Sequence, residues 1–445
     1  MEGIQPATVT GPWYRDILRA DRASRRIGYI EKLSRTITMR RKREENVTGS
    51  VNRIWTTHVG SLVRPPRLVE FLKKIEAGEP YDKAGYEACL KETTEEVVRQ
   101  QVEAGIDIVS DGEFSKGRNW AFYVHDRLSG LSTRPATPEE LKDPMASVGG
   151  GQDRVAFPEF YAEYDRASGL ASRLGRRFVV SGPLTYSDTQ VKRDIANLKS
   201  AAAKAKANGA FLPVVAPASA LPAAKNEHYA DEKSLLFALA DCLHQEYKAI
   251  IDAGLYVQID DAFLPYMHEK MVPPMSDAQY RAWAQMRIDA LNHALKGIPP
   301  ERSRYHICWG SWNGPHAFDV PMKDIVDLLL QVNVGQYSFE AANPRHEHEW
   351  TVWQSVKLPP GKKLIPGVIS HATNIVEHPE LVAQRLVRLA RIVGRDNVLA
   401  GTDCGFAQSP FAKRVHESIM WAKLRSLSEG ARLASVELWG NRSAA

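Results

Sequence analysis

The sequence predicts an α/β fold, a (βα)8 barrel, on three observations. Nine short apolar runs alternate with segments of helical period from about residue 54 onward. Glycines stand where several of those helices should stop, and no shift of composition divides residues 51–445 into two parts. An open doubly wound sheet fits that many strands less well than a closed barrel of about 250 or more residues.

The strand-like runs lie at 54–59, 106–110, 178–181, 211–216, 256–260, 305–309, 337–340, 364–369 and 398–402. Helical periodicity marks 86–104, 232–253, 277–296 and 379–393, and Gly105, Gly254 and Gly394 follow three of these. An eight-stranded barrel leaves one run over. Pro213 and Pro217 spoil ladder donation, so 211–216 is expected as a loop crossing the barrel mouth. The stretch of about 129–177 reads as a long insertion after the second strand. Its Gly149, Gly150 and Gly151 read as flexible linker, since no phosphate-loop motif surrounds them.

Among 445 residues, 44% are hydrophobic and 25% charged, a globular balance, and no apolar run reaches the roughly 18 residues of a membrane span. Of 58 Lys+Arg and 53 Asp+Glu, residues 1–50 hold 11 basic and 6 acidic, which leaves 47 of each sign in 51–445. A balanced body argues against a nucleic-acid surface, because counterion release needs clustered positive charge. Residues 1–50 are expected as a basic, poorly ordered extension. The four cysteines, Cys89, Cys242, Cys308 and Cys404, are too few for a disulfide framework, and with no apolar leader a reducing cytoplasm is expected. Cys89 and Cys242 lie in helical segments and read as small buried hydrophobes.

The chemistry concentrates where strand-like runs end. His58 and Ser61 close the first run, Asp111 and Glu113 follow the second, and Asp260 and Asp261 end 256–260; His306, Cys308, Glu340 and Cys404 continue the pattern. In a parallel barrel the C-terminal strand ends form one mouth, so these groups should converge. Two thiols, an imidazole and a carboxylate are zinc ligands by type. His-x-Cys on a strand sends both side chains to one face, because side chains alternate with period two. His346 and His348 form a rival pair, although neighbouring Glu347, Glu349 and Trp350 suggest a loop or helix start.

Seven ordered motifs then carry a family resemblance: Thr57-His58-Val59-Gly60-Ser61, Ser181-Gly182-Pro183-Leu184-Thr185, Gln258-Ile259-Asp260, His306-Ile307-Cys308, Ser338-Phe339-Glu340, Gly367-Val368-Ile369 and Thr402-Asp403-Cys404-Gly405. Over about residues 52–425 they resemble the C-terminal catalytic barrel of the cobalamin-independent methionine synthases. The resemblance implies a zinc site of His306, Cys308, Glu340 and Cys404, and methyl transfer from a 5-methyltetrahydrofolate-like donor to a zinc-bound thiol such as homocysteine. Two departures stand out. There is no room for the family's N-terminal half, and Asp261-Ala262 replaces its usual Glu-Pro after Asp260. Cys308-Trp309-Gly310 and Asn343-Pro344-Arg345-His346 look at least as much like epoxyalkane:coenzyme M transferases, which add a zinc-bound thiol to an epoxide. A metal-free decarboxylase of uroporphyrinogen type and a non-catalytic zinc-binding barrel are the remaining alternatives.

Both transferase readings need a small-molecule thiol, an alkyl donor, and a proton for the leaving group. A free thiol has a pKa of about 8.5 and reacts poorly at neutral pH until a metal deprotonates it. His371 is the expected general acid, because an imidazole near pKa ~6.5 can donate at pH 7. Asp260 and Asp261 orient that acid or, with Asp111 and Glu113, hold a substrate ammonium; helix-start roles compete for the last two. Arg345 could clamp a carboxylate or sulfonate, and Trp309, Trp312 and Trp350 could wall out water.

Overall fold

The computed structural model describes residues 52–140, 151–168, 176–221, 224–411 and 413–440. The basic extension at 1–50, and Gly149 and Gly150, lie outside the described residues.

Ten strands are described: β1 Ile108–Val109, β2 Leu128–Pro135, β3 Arg176–Tyr186, β4 Gly209–Val215, β5 Lys225–Asn226, β6 Tyr256–Asp260, β7 Ser303–His306, β8 Gln336–Glu340, β9 Lys363–Ile369 and β10 Gly401–Thr402. Seven make a parallel sheet in the order β1-β4-β6-β7-β8-β9-β10. Residues 54–59 close it. Thr56 bridges Ala400 in parallel, Thr57 N donates to Ala400 O (2.9 Å), and Ile108 N donates to Thr56 O (3.1 Å). The eight segments thus complete the (βα)8 barrel that the strand count predicted.

The run left over from the barrel is 178–181, not 211–216. Residues 211–216 do not cross the mouth; they form β4, a central barrel strand. Residues 178–181 belong instead to β3, in a separate three-stranded sheet ordered β2-β3-β5 that stands on the insertion. Pro213 is tolerated because of which way its nitrogen faces. Gly209 N donates to Asp107 O on the β1 side while Ala216 N donates to Asp260 O on the β6 side, so alternation turns residue 213 toward β1. The β1–β4 ladder has already ended at Val109↔Ala210, so the missing N–H breaks no bond.

Helices cover the barrel. The predicted segments appear as Lys83–Glu103, Glu232–Asp252, Asp277–Ala294 and Pro379–Val393. Local chemistry fixes their starts: Asp231 accepts from Ser234 N, and Ser276 with Gln279 forms a reciprocal capping box. Gly105 ends the first at φ 86°, where an added Cβ would also lie 2.8 Å from Ser428 Cβ. Cys89 and Cys242 are buried on two of these helices. Inside the barrel a small apolar layer of Ile108, Phe211, Ile365 and Leu399, flanked by Trp55 and Tyr256, fills the space below the mouth. No helix is long and apolar enough to cross a membrane.

Candidate metal centre

His306 is the last residue of β7, Cys308 lies two residues beyond it, and Cys404 follows β10. One ligating atom from each lies within 4.8 Å of the other two, and all three side chains are buried. Period-two alternation places 306 and 308 together, and barrel closure brings in 404. His306 Nδ1 is 3.0 Å from Ser338 Oγ, while its Nε2 is buried with no hydrogen-bond partner among the described residues. Ser338 thereby fixes which nitrogen faces the sulfurs.

The two cysteine side chains lie in contact. Their mutual hydrogen bond pulls the Cys404 thiol well below its ordinary range and, together with burial, holds Cys308 well above it. Glu340, at the end of β8, is not one of the three clustered residues. Its carboxylate accepts from Trp309 N (3.3 Å) and Asn343 Nδ2, next door to Cys308. Burial, then Asp403 and Cys404, push its pKa well above the carboxylate range. Asp403 accepts from Ala341 N and Ala342 N at 2.8 Å each, yet burial raises it to about 7, and its Oδ2 has no hydrogen-bond partner among the described residues.

These residues fit a zinc ion. An unpartnered imidazole nitrogen faces two sulfurs, and no Lys or Arg among the described residues hydrogen-bonds Glu340 or Asp403, so a divalent cation is the charge complement of the set. His346 does not fit. Its Nδ1 lies 2.9 Å from Glu349 Oε2 and its Nε2 3.1 Å from Asp319 Oδ2, so both nitrogens are occupied, and His348 is exposed.

Around this centre the other expected residues divide. Ser61 packs on the Cys404 loop, so closely that a Cβ on Gly405 would meet its Oγ. His371 Nε2 is 2.6 Å from Ser311 Oγ, and its Nδ1 has no hydrogen-bond partner among the described residues. Burial lowers its pKa to about 4. Asp260 accepts from Gln258 Nε2 (2.7 Å); burial first, opposed by His306, raises it to about 7. Asp111 accepts from Glu113 N (2.9 Å) in a turn, not at a helix start, and burial raises it to about 6.

Six expected residues point elsewhere. Asp261 bonds Ser219 Oγ (2.7 Å) and Tyr305 OH (2.8 Å) in the layer between barrel and helices, not at the mouth, because it alternates with Asp260. His58 is committed at both nitrogens, to Gln101 Oε1 and Gly60 N. Trp309 is fully buried, stacked on His346 at 3.8 Å and donating to Val320 O, which makes it core and not a wall of the site. Arg345 is exposed and donates to Ala317 O (2.7 Å). Trp312 instead contacts the insertion, donating to Tyr161 OH (3.1 Å), and Trp350 lies under Arg388.

The sequence reading missed Ser311, Trp120 and Gln408, and gave Ser338 and Asp403 no role of their own. Trp120 packs on the two cysteines, and its N donates to Gln408 O (3.0 Å). Ser338 had a signal: it shares a strand face with Glu340 by period two.

No family model matches the chain. Its sequence is 26% identical over 400 residues to 2-hydroxypropyl-CoM lyase of Xanthobacter autotrophicus, covering 82% of this chain and 90% of that protein. It is 23% identical over 386 residues to methionine synthase of Sulfolobus acidocaldarius, covering 86% and 93%. The chain is thus similar over most of its length to 2-hydroxypropyl-CoM lyase and to methionine synthases. The fold agrees: the B12-independent methionine synthase of Shewanella sp. W3-18-1, solved with selenomethionine, superimposes with a TM-score of 0.64 at 20% identity, covering 87% of this chain and 99% of that one. These relatives are named as enzymes.

Proposed function

We propose that the protein is a zinc-dependent thiol S-alkyltransferase of methionine-synthase type, with His306, Cys308 and Cys404 as the metal ligands and Glu340 as a fourth, exchangeable one. The observation that carries the reading is the buried cluster of one imidazole and two sulfurs within 4.8 Å, with His306 Nε2 unpartnered. A zinc ion held there supplies the Lewis acidity that keeps an acceptor thiol deprotonated at neutral pH. Two thiolates and one neutral imidazole leave such a site with little excess charge, which preserves the nucleophilicity of the incoming sulfur.

The chain's own residues do the rest. Ser338 holds the His306 ring, and Trp309 N and Asn343 Nδ2 hold the Glu340 carboxylate beside Cys308. Trp120 and Ala262 cover the sulfurs and exclude water. Ser311 and His371 form the proton path to the leaving group, with Nδ1 of His371 left to meet it. The methyl reading draws support from a methionine synthase of which this chain spans 93%, so a separate N-terminal half is not needed for a protein of that name. Addition of the same thiol to an epoxide is the second reading, supported by the similarity to 2-hydroxypropyl-CoM lyase. The alternatives of a metal-free decarboxylase or a structural zinc barrel draw no support from either relative.

Metal analysis of the purified protein is the test. About one zinc per chain is expected, with uptake of one thiol equivalent accompanied by proton release. Cys308→Ser and Cys404→Ser should each lose zinc and alkyl transfer together; a chelated, metal-free preparation that still turns over would overturn the proposal.

A further inference from the structure

We propose that the buried ion pair of Lys423 and Glu377 is the positioning device for proton delivery to the leaving group: it sets the loop that carries His371, so that the ring's Nδ1 meets the departing atom. The inference rests on the thiol-transferase reading and adds two positioning residues to it. The loop follows β9 and runs from Ser370 to His378, ahead of the helix Pro379–Val393. Residues 373–376 are exposed, Ile375 at 75%, so apolar packing does little to fix this stretch.

The two ends of the loop are tied instead to one point. Glu377 Oε1 accepts from the N–H of Ser370, the neighbour of His371 (2.8 Å), and Lys423 Nζ donates to Glu377 Oε1 (3.1 Å) and Oε2 (2.9 Å). Lys423 also donates to Ile375 O, and Ser426 Oγ donates to Glu377 O. Both Lys423 and Ser426 belong to the last helix, Glu417–Trp439. The lysine side chain is 0% exposed and the glutamate 8%. Burying two charges carries a large desolvation cost, and an apolar pair of similar volume would hold a core at least as well. An apolar pair cannot accept from Ser370 N and donate to Ile375 O at once, which is what closes the loop on both sides of His371.

That closure reaches the metal centre by two routes. Through the loop it places His371, whose Nε2 meets Ser311 Oγ (2.6 Å) three residues beyond Cys308. Through space it reaches Asp403, the neighbour of Cys404: burial pushes the Lys423 ammonium below its ordinary range, and the charges of Glu377 and Asp403 oppose this. In transfer to an acceptor thiolate, the sulfur forms the new C–S bond while the carbon–oxygen or carbon–nitrogen bond to the leaving group breaks. The leaving atom keeps the bonding pair and takes the Nδ1 proton, and Nε2 regains one from water through Ser311. A ring turned out of line interrupts the proton transfer, yet leaves the sulfur as reactive as before.

Single-turnover transfer by the zinc-loaded full chain, with homocysteine or 2-mercaptoethanesulfonate as acceptor, tests this with two kinds of donor. Methyl iodide releases iodide and needs no proton, whereas 1,2-epoxypropane and 5-methyltetrahydrofolate need one. Lys423→Met and the double variant Lys423→Met/Glu377→Met should slow transfer from whichever proton-requiring donor the wild type uses by roughly 10- to 100-fold, with transfer from methyl iodide kept within about twofold. The double variant strands no buried charge and should melt close to wild type, which separates positioning from a lost fold. Equal slowing with both kinds of donor, or slowing with neither, overturns the positioning role alone. Where the wild type uses neither proton-requiring donor, the imidazole nitrogen NMR spectrum decides. His371, assigned by its loss in His371→Gln, should show one fixed tautomer in wild type and an average of two in the double variant, and an unchanged signal overturns the role. A wild type that does not speed transfer even from methyl iodide ends the transferase reading, and the role falls with it.

Discussion

Ser338 Oγ lies 3.0 Å from His306 Nδ1, across the β7–β8 ladder in which these two residues are register partners. The bond orients the imidazole and leaves Nε2 for the sulfurs' side of the mouth. Removing it frees the ring to rotate and to exchange tautomers without touching a ligand. Ser338→Ala should therefore weaken zinc binding by about 10- to 100-fold, the range typical of such supporting partners. Competition against a chromogenic chelator reads this directly, and unchanged affinity with an unchanged melting temperature would show that the bond is incidental.

Arg127 anchors the insertion. It bridges Asp194 (2.7 Å) and Glu246 (2.5 Å), and all three side chains are at most 4% exposed. Tyr123 OH also donates to Glu246 Oε1. Arg127→Leu would strand two buried carboxylates, and losing one partner of such a pair costs about 3–5 kcal/mol. Urea unfolding should show that loss. Arg193→Ala, whose guanidinium is partly exposed beside Asp194, should cost far less, about 0–1 kcal/mol.

Two neighbouring positions of β4 should respond in opposite ways to proline chemistry. Pro213→Val should change stability by no more than about 1 kcal/mol, since the nitrogen at 213 faces beyond the end of the β1 ladder. Val214→Pro should cost about 3 kcal/mol or more, because alternation turns that N–H toward β6, where Val214 pairs with Ile259. Equal effects at the two sites would refute the reading of strand polarity.

The same contrast explains what could be read from the chain. Barrel architecture and the His306–Cys308 pairing follow from period-two alternation and from polar groups at strand ends, both local in sequence. Proline at 213 misled because its tolerance depends on how far a neighbouring strand, a hundred residues earlier, extends. Asp261 was grouped with Asp260 by adjacency, whereas alternation sends it to Tyr305. Trp120 and Gln408 had no local signal. They reach the mouth only because the loop after β1 folds back over it, held by Trp120 N on Gln408 O and by Arg64 on the backbone of Glu113.

His125 should reveal itself in the pH dependence of stability. It is buried between Phe122 (5.1 Å) and Phe178 (4.3 Å), with Nε2 2.8 Å from Ala220 O. Burial lowers its pKa from 6.5 to about 4; the bond to Ala220 opposes this, and the nearby charges of Arg118 and Asp126 act in opposite senses. The sign follows from proton counts. Between pH 6.5 and about 4 the unfolded chain binds a proton that the folded ring does not, so stability falls as pH falls through that window. One such ring contributes about 3 kcal/mol across the window. Buried acids such as Asp261, raised by burial, act in the opposite direction, so the whole-protein curve mixes both. The difference between wild type and His125→Gln isolates the imidazole. The variant's stability deficit at pH 7 should shrink, or reverse, as the pH approaches 4, and a difference that stays constant with pH would show that this ring takes up a proton in the fold as readily as in water.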